Sequence, residues 1–162
     1  MKYRIETKEA IRIVGIRTAL KEEVDDYLRV VPTFWDETLK SDLFSQICKL
    51  SNQIPHGILG VTVYQSPKEI YYYIAASTNQ LAPDNLIQFE IPSATWVVFV
   101  CDGRFPESVK EVFKYFLTEW LPFSEYEYAQ LPDIEVYPTT NTKPNERHTE
   151  IWIAIKEENK EE

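Results

Sequence analysis

Apolar positions along the chain fall into alternating runs and helical runs, and the same order of runs occurs twice. Residues 4–19 carry Ile11, Ile13, Val14 and Ile16 around Arg12 and read as a strand, with Gly15 marking a bulge or a close backbone approach. Residues 21–31 are charged and read as a connector or a short helical turn. Pro32 fits the first turn of a helix. Trp35, Leu39, Leu43, Ile47 and Leu50 then recur on one stripe with charged residues opposite, until Asn52 and Pro55 stop it. Residues 57–64 and 70–76 read as two strands joined by a turn at 65–68. Residues 78–88 connect the two halves.

The second half repeats this order. Residues 94–100 form a buried-looking strand that Asp102-Gly103 breaks. Pro106 starts a helix whose stripe is Val109, Val112, Phe113, Phe116, Leu117 and Trp120, and Pro122 ends it. Strands follow at 134–137 and 150–155, and residues 156–162 are a charged, solvated tail. The expected fold is therefore α+β, with two pseudo-symmetric strand–helix–strand–strand modules at about 1–80 and 90–155. Each antiparallel sheet takes a helix on one face and leaves its other face for its twin, solvent or a ligand.

Alternation assigns the side chains of those strands to faces. Ile151, Ile153 and Ile155 suit a helix-packed core, as do Ile134 and Val136. That leaves Glu135, Tyr137, Glu150 and Trp152 on the second face, joined by Tyr71 and Tyr73 from residues 70–76. Trp96 shares a face with Val98, and its direction is ambiguous. Trp120 lies on a helical apolar stripe and reads as core, whereas Trp35 suits a groove mouth or simple packing equally well. Rings and carboxylates together are what a pocket for aromatic, often cationic, compounds requires, since rings stack and hold cations over their faces. A carboxylate among rings either neutralises a cation or has a raised pKa suited to proton transfer.

Composition narrows the function further. Of 162 residues, 44% are hydrophobic and 14% aromatic, and ten Tyr and four Trp need polar partners or partial exposure. Acidic residues outnumber basic ones 26 to 17, for a formal net charge of −9, with no basic cluster to neutralise phosphates, so nucleic acid is not an expected partner. No apolar run is long enough to span a membrane and no export signal opens the chain, which points to a cytoplasmic protein with reduced Cys48 and Cys101. His56 and His148 lack ligating companions at metal spacing, and with four Gly there is no phosphate loop. No cofactor is expected.

Four segments resemble GyrI-like, AraC-type effector-binding domains. Residues 90–99, Glu-Ile-Pro-Ser-Ala-Thr-Trp-Val-Val-Phe, resemble the strand entry of that family. Glu119-Trp120-Leu121-Pro122 resembles its Trp-Leu-Pro turn, and residues 132–137 resemble its Glu-x-Tyr strand. Glu150-Ile151-Trp152-Ile153-Ala154-Ile155 resembles its terminal strand, with Ala154 in place of the usual Pro. The resemblance implies two modules about a pseudo-twofold axis with a ligand groove between them. It also implies a buried carboxylate that meets cationic aromatic ligands, with Glu135 the best positional match and Glu150 a second. In regulators the domain is fused to a helix-turn-helix, for which this chain has no room, so a stand-alone domain is expected.

Three functions follow as expectations. The first is binding of hydrophobic aromatic compounds by Glu135, Tyr137, Glu150, Trp152, Tyr73, Tyr71 and Trp96. The second is hydrolysis of electrophilic, cyclopropane-bearing compounds, implied by some members of the family, with Glu135 and Tyr137 as candidate catalytic residues. The third is inhibition of a protein partner such as a topoisomerase.

Overall fold

Among the described residues, runs of β-branched and aromatic residues build nine strands, all paired antiparallel. The computed structural model describes residues 1–21, 26–101, 106–139 and 148–158. The strands are β1 (Tyr3–Lys8), β2 (Ile11–Leu20), β3 (Ile58–Ser66), β4 (Glu69–Ser77), β5 (Ile87–Ile91), β6 (Ala94–Cys101), β7 (Tyr126–Tyr128), β8 (Asp133–Tyr137) and β9 (Thr149–Glu157). The helices are α1 (Asp26–Leu39), α2 (Asp42–Leu50) and α3 (Glu107–Tyr115). A π-helical turn at Phe116–Trp120 and a 3-10 turn at Leu121–Phe123 extend α3.

The strands form one continuous sheet in the order β1-β6-β9-β8-β3-β4-β2-β5, with β7 beside β9. The sets β2-β4-β3 and β6-β9-β8 are equivalent by their order in the chain. They meet where β3 pairs with β8, so the two modules share a sheet rather than holding two separate ones. Their outer strands are exchanged: β1 pairs with β6, and β5 pairs with β2. β1 nevertheless runs into β2 through Glu9-Ala10, and β5 into β6 through Pro92-Ser93. Such short links span at most about 10 Å. The two ends of the sheet must therefore approach each other, and the sheet curls.

Curling gives the sheet a closed inner face and a helix-covered outer face. Ile13, Leu59, Val61, Trp96, Val98, Ile134 and Trp152 fill the inner face without help from a helix. Outside, α1 and α2 pack Val31, Trp35, Ile47 and Leu50 on Tyr72, Ile74 and Ala76. Alongside them, α3 packs Val109, Val112 and Phe116 on Val97, Phe99, Ile151 and Ile153. Burying one such large apolar side chain is worth about 1.5–3 kcal/mol.

Several sequence expectations change. The single strand over 4–19 is two strands that join opposite ends of the sheet. The connector over 21–31 contains the first turns of α1. Buried Asp26 anchors them by accepting from the Lys21 N–H at 2.7 Å and from Arg29 at 2.5 Å, and Pro32 lies inside the helix. The stripe from Trp35 to Leu50 is two helices, because the Ser41 hydroxyl accepts from the Leu43 N–H and caps α2, leaving Leu39 exposed. Leu117 falls off the apolar stripe because the π turn widens the helix there, while Phe116 and Trp120 stay buried and stacked. Strands β5 and β7 were not legible as strands: β5 is mostly exposed and β7 only half-buried. Gly15 is a close approach and not a bulge, since a Cβ there would strike the backbone of Ile74 and Ala75 while its register with β4 is unbroken. Asp102-Gly103 and the end of the charged tail lie outside the described residues.

Candidate functional site

The register of β8 decides which side chains meet. Glu135 pairs with Ile151 of β9 and with Gly60 of β3, so its carboxylate points to the outer, helix-covered face. Ile134 pairs with Trp152 and points inward. The expected common face of Glu135, Tyr137, Glu150, Trp152, Tyr71 and Tyr73 is therefore corrected: Glu135 and Tyr137 lie opposite the rings of Trp152, Tyr71 and Tyr73. Hydrophobicity misassigned β8 because both faces of this sheet are buried, so apolar residues mark neither.

Glu135 is 3% exposed and is held by phenols. Its Oε1 accepts from Tyr72 at 2.8 Å and Tyr137 at 2.6 Å, and its Oε2 accepts from Tyr27 at 2.6 Å. Tyr72 in turn accepts from the indole N–H of Trp35 at 2.8 Å. A carboxylate offers about four acceptor positions, so one on Oε2 is left. Gly60 makes the arrangement fit, since a Cβ there would collide with the Tyr72 hydroxyl and come within 2.8 Å of Oε1. Burial raises the Glu135 pKa, and the hydrogen bonds of Tyr137, Tyr27 and Tyr72 oppose that rise. Burial likewise raises the phenols of Tyr27, Tyr72 and Tyr137, and the Glu135 charge adds to it, so they act as donors.

Two residues earlier on the same face, Asp133 is 4% exposed. It accepts from Tyr128 at 3.0 Å, and Tyr64 stands beside it. Burial pushes its pKa up to about 7, against the pull of these two phenols. Among the described residues neither Asp133 nor Glu135 makes an ion pair.

Both carboxylates line a cavity of about 240 Å³ between α1 and α3. Its walls are Tyr27 and Leu28 of α1, Val109 and Phe113 of α3, and Thr62 and Tyr64 of β3. Exposed Lys110 stands at the rim. Rings on three sides and acid at the base suit a flat apolar body carrying positive charge.

Residues 4–155 match the family of integron-associated effector-binding proteins, Cass2. The chain belongs to that family. An effector-binding protein takes up a small molecule. No curated protein matches the chain by sequence. In structure the domain is similar to SAV2435 bound to tetraphenylphosphonium, at 20% identity and a TM-score of 0.82, over 96% of this chain and 94% of that one. It is also similar to a Staphylococcus aureus MU50 protein described as a putative bacterial transcription regulation protein, at 21% identity and a TM-score of 0.79, over 96% and 99%. The integron cassette protein VCH_CASS2 of Vibrio cholerae aligns at 16% identity and a TM-score of 0.62, over 95% of each chain. These likenesses establish the GyrI-like effector-binding fold. No helix among the described residues is long and apolar enough to cross a membrane.

The other sequence candidates stand elsewhere in the effector-binding domain. Trp96 and Trp152 are 0% and 1% exposed and touch at 6.0 Å between ring centroids inside the curled sheet. Tyr71 and Tyr73 hold Arg17, whose guanidinium lies 4.0 Å from the Tyr71 ring centroid and donates to the Tyr73 hydroxyl at 3.2 Å. Glu150 pairs with Arg4 at 2.6 Å and accepts from the Trp152 indole at 3.3 Å. Sequence reasoning missed Tyr27, Tyr72, Asp133, Tyr64 and Phe113. Tyr72 and Asp133 carried a signal, because alternation sets Tyr72 against Tyr71 and Tyr73 and sets Asp133 on the face of Glu135. Tyr27 carried none within a stretch read as connector.

Proposed function

We propose that the domain binds hydrophobic aromatic cations in the cavity between α1 and α3, with Glu135 as counter-charge. One observation carries this reading: a buried carboxylate lines an aromatic cavity with phenolic donors around it and, among the described residues, no cationic partner. Neutral donors lower the cost of a buried charge without cancelling it. A ligand cation would use the remaining acceptor position and field of Glu135, while Tyr64, Phe113 and Tyr27 cover its apolar body. That a protein of the same fold holds tetraphenylphosphonium, itself an aromatic cation, agrees with this charge type. As it stands the cavity suits a single-ring ligand, since an apolar cavity of about 150 Å³ accepts benzene, and drug-sized pockets start at about 300 Å³.

The isosteric pair phenyltrimethylammonium and tert-butylbenzene tests the charge. In titration calorimetry the wild type should bind the cation at least tenfold more tightly, and Glu135→Gln should abolish that preference while leaving the neutral compound within about twofold. Equal affinities of the cation for both proteins would remove Glu135 from the site.

A further inference from the structure

The cavity has a second acid that a single cation leaves unanswered. Asp133 and Glu135 alternate along β8, share its outer face and line the same space. Residues two apart in a strand are separated by roughly 6.6 Å. From the geometry we infer that the preferred ligand is a dication, a compact aromatic or alkyl body with two ammonium centres about 6–8 Å apart, one facing Glu135 and the other Asp133. This rests on the cavity being the ligand site and goes on to specify the charge and length of the ligand.

The surroundings of Asp133 leave that second charge to the ligand. From β3 it meets Tyr64 and its register partner Thr62, from β7 it meets Tyr128, and along β8 it feels Glu135. Across the cavity, α1 presents Tyr27 and α3 presents Lys110, which is exposed and makes no ion pair with either acid. The facing groups are thus phenols, a hydroxyl, another acid and one lysine at the rim. Near neutral pH Asp133 is divided between its acid and carboxylate forms, because burial has raised its pKa. A second ammonium favours the carboxylate, so binding a dication sends the Asp133 proton to the buffer while the ligand keeps all of its own. A monocation at Glu135 has no such requirement.

The test compares p-xylylenediamine, a dication, with 4-methylbenzylamine, a monocation of similar shape, by calorimetry in buffers of different ionisation enthalpy at pH 6, 7 and 8. The wild type should prefer the dication at least tenfold at pH 8 and less at pH 6. It should release about half a proton at pH 7 with the dication alone. Asp133→Asn should lose the preference and the proton release while keeping its affinity for the monocation within about threefold. If both compounds bind the wild type alike, or the preference survives in Asp133→Asn, the dication inference is wrong and the single-cation site stands. If neither compound binds, the site itself is wrong.

Discussion

At the scale of single residues the site depends on one missing Cβ and two costly charges. Gly60 faces the Tyr72 hydroxyl and Glu135, and only hydrogen fits there. Gly60→Ala should displace Tyr72, destabilise the fold by about 1–3 kcal/mol in urea unfolding and weaken cation binding with it. Asp133 gives a pH signature of definite sign. Its folded pKa of about 7 lies above its usual 3.8, so its contribution to stability is complete below about pH 4 and is lost as pH rises through 7. The loss by pH 8 is at most on the order of 4 kcal/mol. Asp133→Asn should therefore match the wild type at pH 4 and be the more stable of the two at pH 8, as read from urea midpoints. Equal midpoints at both pH values would show that Asp133 is not held protonated by burial. Glu135 was legible as a carboxylate of interest. Its direction was not, because alternation fixes which residues share a face within one strand, and only cross-strand register fixes faces between strands.

At the scale of elements, α1 and α3 form two walls of the cavity, and β3 and β8 line the rest. The helical stripe of α3 was readable from its apolar spacing, and Pro106 marks its N-terminal boundary. The start of α1 was not, because an interior Pro32 imitates a first-turn proline and the anchoring bond from Lys21 to Asp26 leaves no apolar pattern. The exchange of β1 and β5 also escaped the sequence, since strand patterns do not name their partners. If α3 sets the width of the cavity, trimming its ring should favour larger ligands. Phe113→Ala should raise affinity for tetraphenylphosphonium relative to phenyltrimethylammonium by at least about threefold. An unchanged ratio would mean that bulky cations enter by another route.

At the scale of the molecule, aromatic residues divide between two tasks. Trp96 and Trp152 fill the inside of the curled sheet, whereas Tyr27, Trp35, Tyr72 and Tyr137 serve the outer face around Glu135. An excess of rings was visible in the composition, and the repeated order of elements was visible in the hydrophobic pattern. Which rings belong to which face follows from the curl, a property of the whole topology. Trp152→Leu should accordingly lower stability by several kcal/mol, about 3 by comparison with other large-to-small core changes, without changing cation affinity in the folded protein. Trp35 donates to Tyr72 beside Glu135, so Trp35→Phe should remove most of any ligand-induced fluorescence change at the proposed site.

The proposed cation should sit outside the sheet at Glu135 and not within its curl. A crystal of the complex with 4-bromophenyltrimethylammonium locates the ligand by the anomalous signal of bromine. The expected peak lies between α1 and α3, with the quaternary nitrogen within about 6 Å of the facing rings and turned toward Glu135. A peak beside Trp96 and Trp152 inside the curl, or only on the outer surface away from β8, would contradict it.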